Sequence, residues 1–249
     1  MTDHVVVTDE AAVRTIRINR PEKKNALTLP MYARMIEALR ESEGSAAIRC
    51  IVFAGAPGVF TAGSDIADFL KMTEGGLTAP LLDFLDALAR SQKPMVAAVG
   101  GLAVGIGTTM LLHCDHVVAA ADATFSTPFL KLGLVPEAAS TLLAPLRMGY
   151  ARAFSLLAMG RPLSAPEAKD AGIVNTLAEA GEVDAAARRA AQEIAALPPS
   201  VLALTRRLMR RYLEGDVFKR LQAEAMDFGD LLQTDEARAA FQAFLVRKK

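Results

Sequence analysis

Three histidines, two cysteines and no surplus charge of either sign leave few routes to metal, thiol or polyelectrolyte chemistry. His4 lies beside the N-terminus, while His113 and His116 flank Cys114 and Asp115 at a helix-to-strand junction. Adjacent side chains do not all point one way, so His-Cys-Asp-His reads as structural rather than as a zinc site, whose ligands come at wider spacings. Cys50 and Cys114 both sit in apolar stretches. Two buried thiols suit a reducing compartment and give no disulfide framework, so a cytoplasmic location is expected. Lysine and arginine total 28, as do aspartate and glutamate, so no basic excess is available for a nucleic-acid surface. No basic amphipathic segment argues for a membrane surface, and the opening residues lack the layout of a signal peptide. The sequence has no G-x-S-x-G elbow, no serine with an evident histidine partner, no G-x-G-x-x-G and no P-loop. One long apolar run, from Pro94 to Cys114, approaches bilayer length. Gly100, Gly101, Gly105 and Gly107 interrupt it and His113 to His116 close it, so it reads as a strand, a glycine turn and a buried helix.

What is present is a large apolar fraction, 52% of 249 residues, enough for the core of one large domain with or without a small appendage. Val5–Val7 and Val13–Ile18 alternate in the strand manner, with Asp9-Glu10 expected as the turn. A polar loop follows from Asn19 to Asn25, then a helix with Pro30 at its first position and Met31, Met35, Ile36 and Leu39 on one face. Strands are expected at Ile48–Ala54, Met95–Val99 and Val117–Ala120, and a leucine-rich helix at Ala79–Ala89. Alternating strands and helices indicate an α/β body with largely parallel strands. From Glu182 onward the pattern is helical, broken at Pro198-Pro199 and Gly215, with Thr234 capping a final helix and Arg247, Lys248 and Lys249 in its last turn. The division expected is a body over 1–196 and a helical region over 197–249. In that region Leu221, Met226, Phe228, Leu231 and Leu232 have little body to cover them, which points to burial against another subunit.

Three segments hold the candidate chemistry. In Phe60–Ile66, Gly63 permits a tight turn before a helix starting near Asp65, which leaves N–H groups facing outward; an ordinary strand-to-helix loop has the same look. In Gly101–Gly107, ahead of an expected helix Thr108–His113, the glycines serve either a helix N-terminus or close backbone packing. Together the two loops can supply a pair of backbone N–H donors to an oxyanion. In Gly133–Thr141, Glu137 is the one ionisable group between Lys131 and Arg147. It is either a first-turn glutamate set against a helix dipole, since Pro136 and the run Ala138–Leu146 mark a helix start, or a general base whose pKa an apolar pocket raises.

The ordered set Asn19–Leu27, Phe60–Ile66, Gly101–Gly107, Cys114-Asp115 and Ala168–Val174 resembles the crotonase (enoyl-CoA hydratase/isomerase) superfamily over nearly the whole chain. The resemblance implies a spiral of ββα units with a C-terminal helical trimerisation domain, a homotrimer or hexamer, an acyl-CoA thioester as substrate, and no metal or prosthetic group. It puts the oxyanion donors on the backbone of Ser64 and Ile106, with Gly63 and Gly105 preceding them. Coenzyme A is expected near Lys24, Ala26, Ala62, Asp65 and Ile66. The two glutamates that hydratases of the superfamily use fall at Thr109 and Phe129, so two-carboxylate hydration is not expected, and both residues are expected to act through packing. Phe125–Phe129, which includes Pro128, and Leu132–Glu137 are similar to the Δ3,Δ2-enoyl-CoA isomerase branch, whose single catalytic glutamate falls at Glu137. Ala138-Ala139 departs from two glycines usual in that branch. The implied reaction is 3-enoyl-CoA to trans-2-enoyl-CoA; hydration, thioester hydrolysis and acyl-CoA binding without catalysis are the alternatives.

Overall fold

The computed structural model describes residues 4–68, 79–211 and 213–246. Two strands begin the chain, β1 (Val5–Glu10) and β2 (Val13–Ile18), paired antiparallel. The strand runs through Asp9 and Glu10, and the turn expected there falls on Ala11 and Ala12, both at positive φ. Asp9 is kept in the strand by Arg14, its partner across the ladder, whose Nε donates to it at 2.8 Å. Helix α1 (Leu29–Gly44) follows, then β3 (Cys50–Ala54) and β4 (Val59–Thr61). Next come α2 (Ala79–Arg90), β5 (Met95–Val99) and β6 (Leu102–Val104). The short α3 (Ile106–Thr109) runs on into a 3-10 turn and β7 (His116–Ala120), followed by β8 (Thr124–Ser126). After these lie α4 (Ser140–Met148), α5 (Tyr150–Leu157), β9 (Leu163–Ser164), α6 (Ala165–Asp170) and β10 (Thr176–Ala178).

The strands form two sheets, ordered β1-β2-β3-β5-β7-β10 and β4-β6-β8-β9. From β2 onward every pairing in the first sheet is parallel. Each pair β3-β4, β5-β6 and β7-β8 puts one strand into each sheet, so the chain advances as a spiral of ββα turns. All five residues of β3 and of β5 are buried. That explains why these strands read as continuous apolar runs without alternation: both faces are covered. Tyr32 of α1 and Phe84 of α2 meet at 5.3 Å between ring centroids, and Phe53 of β3 sits edge-on to Phe84 at 6.5 Å. These rings fasten the two helices over the sheet.

Four helices close the chain: α7 (Val183–Ala196), α8 (Pro199–Arg210), α9 (Glu214–Leu232) and α10 (Asp235–Val246). Gly215 lies inside α9; the break comes just before it. Thr234 caps α10 as expected, accepting from Ala237 N at 3.2 Å, while Arg247–Lys249 lie outside the described residues. Arg206 of α8 is buried against the body, with Nε donating to both oxygens of Asp115 and Nη1 to the Ser91 carbonyl at 2.6 Å. One expectation needs correcting. Phe228 and Leu232 are buried, and Leu221 and Leu231 pack against the core of the same chain; of the residues named for a subunit contact only Met226 is exposed. An uncovered apolar face lies instead on α8 and the second residue before it, where Leu197, Val201, Leu204 and Leu208 recur at helical spacing. No helix among the described residues is long and apolar enough to cross a membrane.

Candidate active site

The polar loop after β2 is pinned by Asn25. Its side chain is fully buried, accepting from Arg20 N at 2.8 Å and donating to the carbonyls of Val59 and Phe60. This lays the segment Lys24–Leu27 alongside Ala62–Asp65. Ala62 N donates to Lys24 O, Leu27 N to Gly63 O and Asp65 N to Leu27 O, all at 2.8–2.9 Å. Lys24 is exposed, Ala26 and Ala62 are half-buried, and Ile66 packs partly on the core. The Asp65 carboxylate is spoken for: Arg20 Nη1 reaches it at 2.6 Å and Ala67 N at 2.9 Å. Burial pushes its pKa up, but these bonds outweigh that and hold it below the ordinary value.

The second loop differs from the expectation. Leu102–Val104 is a strand, and the helix begins at Ile106 with Gly105 as its cap, two residues earlier than the apolar run implied. The two loops are in backbone contact. Gly63 has φ +86°, and a β-carbon there would lie 2.8 Å from the Val104 carbonyl oxygen. A β-carbon on Gly107 would lie 2.5 Å from Cγ2 of Thr61. Glycine at both positions lets the loop that carries Ser64 pack backbone to backbone against the one that carries Ile106. Among the described residues neither the Ser64 N–H nor the Ile106 N–H has a hydrogen-bond partner. Tyr32, buried beneath, bonds to Ser64 Oγ at 2.7 Å. Burial drives its phenol above the ordinary value, with Glu137 adding to the rise.

Glu137 is not in a helix first turn. Helix α4 starts at Ser140, and Ala138 and Ala139 between them are both left-handed, at φ 63° and 52°. Each costs an alanine roughly 1–2 kcal/mol, so the turn must be imposed by its surroundings. His113 Nε2 donates to the Ala138 carbonyl at 2.8 Å; burial pushes that imidazole down to about 4, so it is neutral with its proton on Nε2. Asp115 turns to Arg206 and His116 to Thr176, so the His-Cys-Asp-His run diverges to separate partners.

The Glu137 carboxyl is buried. Thr109 Oγ1 donates to its Oε1 at 2.5 Å, and Oε2 has no partner among the described residues. Burial pushes its pKa up to about 8, against the pull of the Thr109 bond, with the Glu224 charge adding to the rise. Thr109 therefore does more than pack: it holds the carboxylate, and it stands one turn from Ile106 in the same short helix. Phe129 is buried as expected, its ring edge 3.9 Å from the β-carbon position of Gly105, and Pro128 precedes it. Direct contacts thus join Lys24 to Ala62, Leu27 to Gly63 and Asp65, Phe129 to Gly105, and Glu137 to Thr109 one turn after Ile106. Sequence reasoning missed the Thr109 hydroxyl, Tyr32, His113 as a turn fastener and Glu224. A polar residue within an apolar stretch was the available signal for the first three.

An enoyl-CoA hydratase/isomerase family profile matches residues 8–249. The chain is 32% identical over 250 residues to "Enoyl-CoA delta isomerase 2" of Rattus norvegicus, an alignment covering 98% of this chain and 64% of the rat protein. It is 30% identical over 247 residues to a "Probable enoyl-CoA hydratase" of Rhizobium meliloti, covering 98% and 96%. The solved structure of Pseudomonas aeruginosa OdaA superimposes with a TM-score of 0.94 at 38% identity, over 98% of this chain and 99% of that one.

Proposed function

The chain belongs to the enoyl-CoA hydratase/isomerase family, and from that premise we propose that it is an isomerase, converting 3-enoyl-CoA to trans-2-enoyl-CoA. The observation that carries this reading is Glu137, a buried carboxylate beside the oxyanion loops with Oε1 held by Thr109 and Oε2 free. Hydration in this superfamily takes two glutamates, and their positions are filled by Thr109 and Phe129.

In the proposed cycle, coenzyme A lies along Lys24, Ala26, Ala62, Asp65 and Ile66. The thioester oxygen takes the free N–H groups of Ser64 and Ile106. Glu137 Oε2 removes a proton from C2, and the resulting dienolate is stabilised at that oxygen. The same carboxyl returns the proton at C4, leaving the double bond between C2 and C3. A carboxyl with a pKa near 8 suits this work, because it keeps the abstracted proton long enough to redeliver it. Thr109 serves both protonation states. It donates to Oε1 of the carboxylate, and with the abstracted proton on Oε2 it goes on donating to Oε1, now the carbonyl oxygen of the acid. Phe129 keeps water from the dienolate. Nothing is added or oxidised, so the cycle calls for no prosthetic group.

The test is product analysis of 3-hexenoyl-CoA and 2-hexenoyl-CoA side by side by mass spectrometry and ultraviolet absorbance. The expected result is conversion of the first to the conjugated isomer at constant mass, with label placed at C2 of the substrate reappearing in part at C4 of the product. Glu137→Gln should fold, bind acyl-CoA and lose turnover by at least about 100-fold. Gain of one water by 2-hexenoyl-CoA as the dominant reaction would favour the hydratase reading that the R. meliloti relative's name invites. Undiminished turnover by Glu137→Gln would remove the base assignment.

A further inference from the structure

The left-handed turn that carries Glu137 is fastened from outside by helix α9. Glu224, buried, accepts Ala139 N at 2.6 Å through one oxygen, and Thr141 N at 3.0 Å and Thr141 Oγ1 at 2.6 Å through the other. Arg220, one turn earlier on α9, donates to Thr141 Oγ1 at 2.9 Å. Ala139 N and Thr141 N belong to the set of N–H groups that a helix start leaves without intrahelical partners. A carboxylate from a distant helix therefore does for α4 what a capping side chain does elsewhere. One of the residues it holds, Ala139, is an alanine in a left-handed conformation that its side chain disfavours, as is Ala138 before it.

We propose that Glu224 is a positioning residue for Glu137, holding the Ala138–Ala139 turn so that Oε2 faces the substrate. The inference rests on the reading of Glu137 as the base. Glu224 makes no hydrogen bond to Glu137; it works through the peptide units next to it. Its charge also reaches Glu137 and opposes ionisation there. The other polar groups facing this turn are Thr109 from α3, Tyr32 from α1, His113 from the 3-10 turn and Arg220 from α9. None of these changes charge with Glu224→Gln, so the substitution separates geometry from fold and can be followed by pH.

The experiment measures kcat, KM and the pH profile of kcat/KM on 3-hexenoyl-CoA for Glu224→Gln, alone and combined with Ala138→Gly and Ala139→Gly. An amide in place of the carboxylate must turn an N–H toward Ala139 N or Thr141 N, so one clamp bond is lost. The expected result is a fall in kcat of about 10- to 100-fold from misplacement of the base, with KM little changed. The acidic limb should move to lower pH, because a like charge has gone. Glycine at 138 and 139 should restore most of kcat, since it adopts the turn without force, and leave the limb where Glu224→Gln put it. A fall in kcat without movement of the limb, no rescue by glycine, or a loss confined to KM or to melting temperature would overturn the proposal. If Glu224→Gln does not fold, Thr141→Val carries the test through loss of the Oγ1 bond: a fall in kcat at constant KM supports the clamp, and an unchanged kcat overturns it. Glu137→Gln in the same assay keeps the two readings apart. Its retained activity would remove the base, whereas an inert Glu137→Gln beside an unaffected Glu224→Gln would remove only the clamp.

Discussion

Replacing Glu137 by glutamine should make the protein more stable as the pH rises, even as it abolishes turnover. The Glu137 carboxyl moves from an ordinary value of 4.5 to about 8 on folding, chiefly through burial. Between those two values the folded chain binds more protons at this site than the unfolded chain does. Its contribution is therefore complete below pH 4.5 and is lost as pH climbs through 8. At about 1.4 kcal/mol per pH unit, the gap of 3.5 units amounts to roughly 5 kcal/mol at full ionisation. Most of that loss, about 3.5 kcal/mol, accrues between pH 5 and pH 8. Glutamine does not titrate. Its unpaired N–H groups carry a penalty of about 1–3 kcal/mol, but the same at every pH, so the slope is diagnostic rather than the offset. For a chain of this size a difference of that order moves the melting temperature by about 7–14 °C. Thermal melts of both proteins at intervals from pH 5 to 8.5 should diverge by that amount, with wild type falling relative to the variant. Over the same range wild-type kcat/KM should rise with a midpoint near 8, because only ionised Glu137 can accept the C2 proton. Melting curves that stay parallel would mean that Glu137 titrates as an exposed glutamate does, and the buried-base reasoning would fail.

Thr109→Val should lower kcat about tenfold and move the acidic limb to higher pH, because the bond that favours the Glu137 carboxylate is gone, while Thr109→Ser should leave both in place; pH profiles of the two variants check this, and equal behaviour would return Thr109 to a packing role. Ser64→Pro should cost roughly 100-fold in kcat by deleting a backbone donor, and Ser64→Ala far less, since only the bond to Tyr32 is lost; an alanine variant as inactive as a folded proline variant would refute the backbone assignment. Light scattering should show a trimer or hexamer held partly through the Val201, Leu204 and Leu208 face, and Leu204→Asp should weaken the assembly; a wild-type monomer at micromolar concentration would refute it.

The α/β body was legible because β3 and β5 are buried on both faces and so appear as unbroken apolar runs. The two glycine loops were legible because their glycines mark places where backbone meets backbone, whereas Ser64 and Ile106 as the donors within them came from the family resemblance. Other features were hidden for identifiable reasons. Asp9 and Glu10 have a turn's composition, and it took the cross-strand Arg14 to keep them extended. Ala138 and Ala139 carry the composition of a helix interior, and only the bonds from His113 and Glu224 make them left-handed. Glu224 itself lies among Asp and Glu residues of an amphipathic helix, where nothing in its neighbours distinguishes a buried acid from a solvated one. The apolar residues of α9 were assigned to a subunit contact because the sequence does not say that α9 folds back onto α2 and α4.

Ala139 and Glu224 are separated by 85 residues of chain. At the pace of synthesis, about 5–20 residues per second, roughly 4 to 17 s pass between the emergence of one and of the other. The ββα turns can assemble in the order they leave the ribosome, since the strands of each sheet stand in it in chain order. His113 can hold the Ala138 side of the turn early, but the Glu224 side stays open until α9 is made and docked. A nascent chain would thus hold both oxyanion loops early, and the docking of α9 would be the event that completes the clamp on the base.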